Sequence, residues 1–301
     1  VTKEEEGVRI DKLLSDRFEG HSRTYFQYLI ENGCVLLNGE RVKKRIEPKD
    51  GDEIEVFFQV TPEISLEPQN IPLDILFEDE DIIVVNKPAG MVVHPAPGNW
   101  SHTFVNALLG HCQELAPTDD PLRPGIVHRL DKNTSGVLIA SKTSRAHQRL
   151  IALFCNRKVE KQYLAICVGR PRENTVSVFM GRHPVRRKEM SVLDIGGKES
   201  TSHFSVLATN ERLSLVLAKP ITGRTHQIRV HLKHLNAPIL GDEVYGSPSV
   251  NRHYNIQRQL LHAYRLKIHH PITLAPLEFV APIPDDMKKM ISLFSSQHSV
   301  P

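Results

Sequence analysis

Cysteine is scarce in this sequence and never paired. Four cysteines, at positions 34, 112, 155 and 167, are scattered over 301 residues with no CxxC spacing. That scatter argues against a zinc ribbon or a disulfide framework and suits a reducing compartment. Cys155 and Cys167 lie within apolar stretches and are expected to be small buried hydrophobes. No apolar run approaches the roughly 18 residues that a membrane-spanning helix needs. Nor does a charged-then-apolar leader open the chain. It begins at Val1 rather than Met, which leaves an organellar destination open beside the cytoplasmic one expected. Glycine-rich phosphate loops, internal repeats and low-complexity tracts are also missing. His226, His231 and His234 are five and three residues apart, which is not the spacing of an HExxH-type metal site. Neither a metal nor any other cofactor is expected.

What is present is an ordinary globular composition, 40% hydrophobic and 24% charged, in a chain long enough for two cores. The net charge of +3 hides an uneven distribution. Residues 1–58 hold ten Lys and Arg against thirteen Asp and Glu, whereas residues 121–190 hold fifteen against four. A balance of +11 over seventy residues exceeds what solubility requires and points to a polyanionic partner.

Residues 1–58 are expected to form a small module. Ile10, Leu13, Leu14 and Phe18 recur at helical spacing, as do Tyr25, Leu29 and Ile30, with Ser22 as the N-cap of that second helix. A strand at 33–37 then enters an Asn38-Gly39 hairpin turn, and 51–57 is a closing strand of alternating character. Residues 59–73 are Pro-containing and aperiodic, a linker, and 74–301 form the second domain. There, strands are expected at 82–86, 136–142, 161–168, 201–208, 214–219 and 264–269, and helices at 103–115, 144–156 and 225–235. Strict βαβ alternation is lacking, so the fold class is α+β.

The most informative stretch is Ile126-Val-His-Arg-Leu-Asp-Lys-Asn-Thr-Ser-Gly-Val-Leu-Ile-Ala-Ser-Lys142. An apolar segment ends in His-Arg-Leu-Asp, turns through Asn-Thr-Ser-Gly and resumes as a strand. Asp131 is flanked by Arg129 and Lys132. A carboxylate between cations stays ionised and can serve as a nucleophile or electrostatic stabiliser, although a turn Asp can also simply cap backbone N–H groups.

This stretch resembles the catalytic motif of the RluA-type pseudouridine synthases, which isomerise uridine in RNA to its C-glycoside. The resemblance continues in order through Glu78–Pro95, Gly223–Leu232 (GRTHQIRVHL), Gly241–Gly246 (GDEVYG) and Leu261-His262-Ala263. Within the family it is nearest the D type, which acts on large-subunit ribosomal RNA. The N-terminal module, with its helix pair, Val-x-x-Asn-Gly and Gly-Asp-x-Ile, resembles an S4 RNA-binding domain. Two departures stand out: Asn133 where the family often has Asp, and His102 where glycine is common.

The resemblance implies a mixed, largely antiparallel central sheet crossed by a cleft. It makes Asp131 the catalytic carboxylate and Arg229 the cation paired with it, expected as a bidentate pair in a dry pocket. Tyr163 becomes the aromatic against the target uracil and the candidate acceptor of the C5 proton. Arg129 would fill the space of a flipped-out base. His128 is expected to position rather than transfer protons. Phosphate contacts are expected from Arg182, Arg186, Arg187 and Lys188, and in the module from Arg9, Lys12, Arg23, Arg41, Lys43, Lys44 and Arg45. The implied partner is ribosomal RNA, within an assembling large subunit or naked, with no membrane and no obligate protein partner. Sequence leaves a covalent sugar adduct and a glycal route both open. Rival readings are transfer RNA as substrate, a non-catalytic RNA-binding or ribosome-assembly protein, and a glycoside or nucleoside hydrolase. The hydrolase would need a second carboxylate, for which Glu160 and Asp242 are the candidates.

Overall fold

A computed structural model describes residues 1–18, 23–43, 45–58, 66–95, 99–112, 115, 118, 123–186 and 189–295. The chain divides into two compact units, Val1–Ser65 and Leu66–Pro301. Ser22, the expected N-cap, lies outside the described residues.

In the first unit α1 (Ile10–Arg17) and α2 (Arg23–Glu31) precede β1 (Val35–Leu37), β2 (Glu40–Arg41) and β3 (Ile54–Val56). The helices bury Ile10, Leu13, Leu14, Phe26, Leu29 and Ile30 against Val35. Strand β1 is central, antiparallel to both β2 and β3. Asn38 and Gly39 turn the hairpin with φ of 52° and 81°, the paired left-handed conformations that an Asn-Gly turn accommodates.

The second unit is built on one ten-stranded sheet. Its elements in chain order are β4 (Ile75–Glu78), β5 (Ile82–Lys87), α3 (Phe104–His111), β6 (Ser135–Ser141), α4 (Ser144–Cys155), β7 (Glu160–Val168), β8 (Thr175–Arg182) and β9 (Met190–Val192). They continue with β10 (Lys198–Thr209), β11 (Leu213–Pro220), α5 (Gln227–His234), α6 (Pro248–Tyr254), β12 (Leu261–His269), β13 (Pro276–Val280) and α7 (Asp285–Ser295). The strand order is β4-β5-β6-β12-β7-β11-β10-β8-β9, with β13 on β12. Every named pairing is antiparallel except β6 with β12.

That parallel contact passes through Gly136, whose φ is 111° and where a Cβ would stand 2.2 Å from the Ala263 carbonyl oxygen. Only glycine permits this approach, and it sits at the exit of the Asp131 turn. Thr103 and Thr143 cap α3 and α4 with their side chains, Thr103 in a reciprocal box with Asn106. Helix α4 lays Ala146 and Leu150 on Ile82, Val84, Val137 and Ile139. Helix α5 lays Ile228 and Leu232 on Ala165, Cys167 and Val216.

Several expectations need correction. The helix expected over 103–115 ends at His111, and that over 225–235 starts at Gln227 because His226 is left-handed at φ 57°. Strands β4, β8, β9 and β13 and helices α6 and α7 were not expected. Cys167 is buried, but Cys155 is exposed. It lies nine residues beyond Ala146, half a turn away from the face that α4 buries. His102 has φ 57°, which explains why glycine would suit its place.

Candidate active site

The turn carrying Asp131 is held from below by two cationic side chains acting on backbone carbonyls. Lys87, at the end of β5 and 1% exposed, donates from Nζ to the carbonyls of Pro88 (2.8 Å), Met91 (2.9 Å) and Lys132 (3.1 Å). Burial draws its pKa down to about 7, opposed in part by the charge of Asp131. Arg258 donates from Nη1 to the Asn133 carbonyl at 3.1 Å. A turn fastened this way presents its carboxylate rigidly.

Asp131 lines a cleft of about 120 Å³ with Arg129, Lys161, Tyr163, Thr222 and Arg229. Its Oδ2 accepts from Arg229 Nη1 at 3.0 Å, and Oδ1 has no protein partner among the described residues. Arg229 comes from α5. The loop entering that helix is tied down by Gln227, whose Oε1 accepts from Thr222 Oγ1 (2.7 Å) and the Arg224 N–H (2.9 Å). Its Nε2 donates to the Thr201 carbonyl and to Ser202 Oγ on β10.

The expected bidentate pair exists, but with a different carboxylate. Arg229 Nε and Nη2 donate to Asp242 Oδ2 (2.7 Å) and Oδ1 (3.0 Å), leaving only Nη1 for Asp131. Asp242 is fully buried and pre-set by the Val244 and Tyr245 N–H groups, which donate to its Oδ1. Burial alone would raise its pKa, but Arg229 and those N–H groups hold it below the usual carboxylate value. For Arg229, burial would lower the pKa, and the two aspartates more than offset this and raise it. Tyr245 covers the guanidinium, 5.0 Å from ring centroid to Cζ. Its hydroxyl accepts from the Met190 N–H at 2.8 Å and hydrogen-bonds His226 Nδ1 at 2.9 Å.

Tyr163 lines the same cleft from β7. Burial first, and the Asp131 charge second, push its phenol above the ordinary value, so it stands protonated. His128 accepts from the Ile139 N–H through Nε2 (3.0 Å) and stacks on Phe154; burial lowers its pKa to about 3. A neutral, hydrogen-bonded ring fits a positioning part.

The cleft thus brings together Asp131, Tyr163, Arg229 and Arg129, the last exposed. Arg182 and Arg186 are exposed on and after β8, outside its lining, and Arg186 pairs with Glu189 at 3.3 Å. Arg9 and Arg23 belong to the first unit, where both bind the buried Asp11 carboxylate. Arg41, Lys43 and Arg45 are exposed there. Lys44, Arg187 and Lys188 lie outside the described residues.

Sequence reasoning missed Lys87, Lys161 and Tyr245, and treated Asp242 only as a hydrolase's second acid. Asp242 does not line the cleft, and Glu160 is turned to Gln162 (2.6 Å). Among the described residues Asp131 is the only carboxylate in the lining, so the two-acid geometry of a glycosidase is not present there. No group of three His, Cys, Asp or Glu among them could hold a metal.

One carboxylate, one arginine braced from behind and one aromatic suit isomerisation at a glycosidic carbon without water. Residues 81–234 match the family model of RNA pseudouridylate synthase, just over half of the chain. The chain belongs to this family. Residues 8–54 of the synthase match the S4 domain. An uncharacterized RNA pseudouridine synthase of Synechocystis is 42% identical over 291 residues, covering 95% of this chain and 88% of its own. Ribosomal large subunit pseudouridine synthase D of Xylella fastidiosa is 41% identical over 299 residues, with coverage of 95% and 88%. The protein of that name from Escherichia coli O157:H7 is 38% identical, with coverage of 97% and 92%. The solved human RNA pseudouridylate synthase domain containing 1 superposes with a TM-score of 0.57 at 26% identity, over 79% of this chain and 97% of its own. The chain is therefore an enzyme that makes pseudouridine in RNA. No helix among the described residues is long and apolar enough to cross a membrane.

Proposed function

We propose that the synthase isomerises uridines of large-subunit ribosomal RNA, in the cytoplasm and on naked or assembling particles, with Asp131 as its catalytic carboxylate. The observation that carries the assignment is the carboxylate of Asp131, the only one lining the cleft among the described residues, held by one N–H of Arg229 and with no partner among those residues at its second oxygen. In this reading residues 1–58 recognise RNA, 59–73 link, and 74–301 catalyse. The ribosomal substrate is supported by the likeness to ribosomal large subunit pseudouridine synthases D, and a polyanionic one by the +11 balance over residues 121–190.

Asp131 either attacks C1′ or removes the C2′ proton, and both routes release the uracil as an anion. Arg229 keeps Asp131 ionised and aimed. Tyr163 packs on the base. Its phenol is the candidate acceptor of the C5 proton, a transfer opposed by the burial and the Asp131 charge that raise its pKa. Arg129 occupies the vacated stack and Arg182, Arg186, Arg187 and Lys188 contact phosphates, as do Arg9, Arg23, Arg41, Lys43, Lys44 and Arg45.

The test is tritium release from RNA labelled at uracil C5, with ribosomal and transfer RNA in parallel and Asp131→Asn as the comparison. Release from ribosomal RNA by wild type alone is expected. Release from transfer RNA only would move the substrate, and an Asp131→Asn enzyme within tenfold of wild type would overturn the residue assignment.

A further inference from the structure

Lys161 stands two residues before Tyr163 on β7, so both side chains leave the same face of the strand, and both line the cleft beside Asp131. Its Nζ would lie 4.0 Å from a Cβ placed on Gly223, which sets it against the segment that follows β11, the neighbour of β7 in the sheet. Its charge is felt by His128, whose neutral ring is already committed to the Ile139 N–H. Burial lowers the Lys161 pKa.

The contrast with Lys87 is informative. That lysine is more deeply buried, yet all three of its ammonium protons meet carbonyl oxygens. Among the described residues, Lys161 meets no acceptor at all. Asp131 makes no ion pair with it; the ion pair that Asp131 makes is with Arg229. A half-buried ammonium with no protein acceptor, open to the cleft, is placed to meet an acceptor that arrives with the substrate.

We infer that Lys161 is a further catalytic residue: its ammonium hydrogen-bonds an exocyclic oxygen of the target uracil and stabilises the anion that forms when the glycosidic bond breaks. This rests on the reading that Asp131 drives that cleavage. When N1–C1′ breaks, its electron pair stays with the base and spreads over N1, O2 and O4. C1′ is taken up as an ester by Asp131, or becomes a glycal carbon after C2′ gives its proton to Asp131. The base turns, its C5 forms the new bond to C1′, the C5 proton departs and N1 gains one. In the ester route Asp131 leaves as carboxylate, and in the glycal route it returns the proton to C2′. Lys161 remains protonated throughout and consumes nothing. Its interaction strengthens as negative charge reaches the oxygen, which is the condition for accelerating the step rather than only binding the base.

The test uses the full chain and C5-tritiated ribosomal RNA under single-turnover conditions. Lys161→Met keeps the stem and removes the charge. The expected result is a rate constant lower by about 10²–10³, as for loss of one donor to a developing oxyanion. RNA affinity stays within threefold and the salt slope is unchanged. In Lys161→Ala, added ethylammonium restores rate in proportion to its concentration. A Lys161→Met rate within threefold of wild type would overturn the inference. So would a loss confined to affinity with the log–log salt slope reduced by about 0.7–0.9, the mark of a phosphate contact. Failure of ethylammonium to restore any rate, or a Lys161→Met protein that does not fold, would make the lysine structural and overturn it equally. Asp131→Asn, run alongside, separates the two readings: if it kept turnover the Asp131 assignment would fail, whatever Lys161 does.

Discussion

Replacing Asp242 with asparagine tests how Arg229 is held. Asp242 is fully buried and meets two N–H edges of an Arg229 that is itself only 6% exposed. In Asp242→Asn the shape is kept, but one oxygen becomes an NH₂ facing an arginine N–H, donor against donor. The guanidinium is left with Asp131 as its single anionic partner. Removing one member of a buried ion pair costs about 3–5 kcal/mol. The remaining carbonyl oxygen and Asp131 offset part of this, so about 3 kcal/mol is expected in urea unfolding of the second unit. The pH dependence provides an independent check. The folded pKa of Asp242 lies below its unfolded value. Its contribution to stability is therefore complete above the unfolded pKa near 4 and is lost as pH falls through the folded value. The variant should be less stable at neutral pH and lose less on acidification than wild type. Arg229 should also turn toward Asp131 and slow single-turnover isomerisation about tenfold or more, the scale of a lost orienting contact. A destabilisation below 1 kcal/mol with an unchanged acid limb would refute the account of Asp242 as the brace.

Asp131→Asn is expected to abolish tritium release while binding RNA within a fewfold of wild type in a filter assay; a parallel loss of binding would count against a purely chemical role. RNA affinity should fall steeply with salt, with a log–log slope of about −0.7 to −0.9 per phosphate contacted, and a nearly flat plot would remove the basic 121–190 segment as the binding surface. Gly136→Ala should destabilise the second unit by several kcal/mol, on the order of the largest single-site effects, because the new Cβ meets the Ala263 carbonyl at a positive φ. Circular dichroism melts would show this, and an unchanged melting temperature would mean that the β6–β12 contact can open. Lys87→Met should leave three carbonyls around the Asp131 turn without a donor and lower both thermal stability and turnover; a normally active variant would show that the turn needs no anchor.

Much of the scaffold was legible because its signals are local. Strands β5 through β7 and helix α4 are dense apolar segments bounded by Thr, Ser and Gly, and the Asn38-Gly39 turn follows from the conformations those two residues tolerate. Strands β4, β8, β9 and β13 escaped notice: they lie toward or off the ends of the strand order and are largely half exposed. Cys155 was misjudged because an apolar run on a helix does not say which of its residues faces inward.

The site divides along the same line. Residue types, their order and the turn chemistry around Asp131 are properties of the chain, and the family resemblance they carry implied an RNA-modifying isomerase with Asp131, Tyr163 and Arg229 as its candidate parts. Which carboxylate takes the two-pronged side of Arg229 is not written in any short segment. Asp131 lies 98 residues from Arg229 and Asp242 only 13. The choice was made by the burial of Asp242 and the backbone N–H groups aimed at it. The same holds for the two lysines. Lys87 and Lys161 are alike in sequence, each a lysine at the edge of an apolar strand. Only the packed fold surrounds the first with carbonyl oxygens and leaves the second unpaired in the cleft, because burial and hydrogen-bond partners are set by segments far apart in the chain.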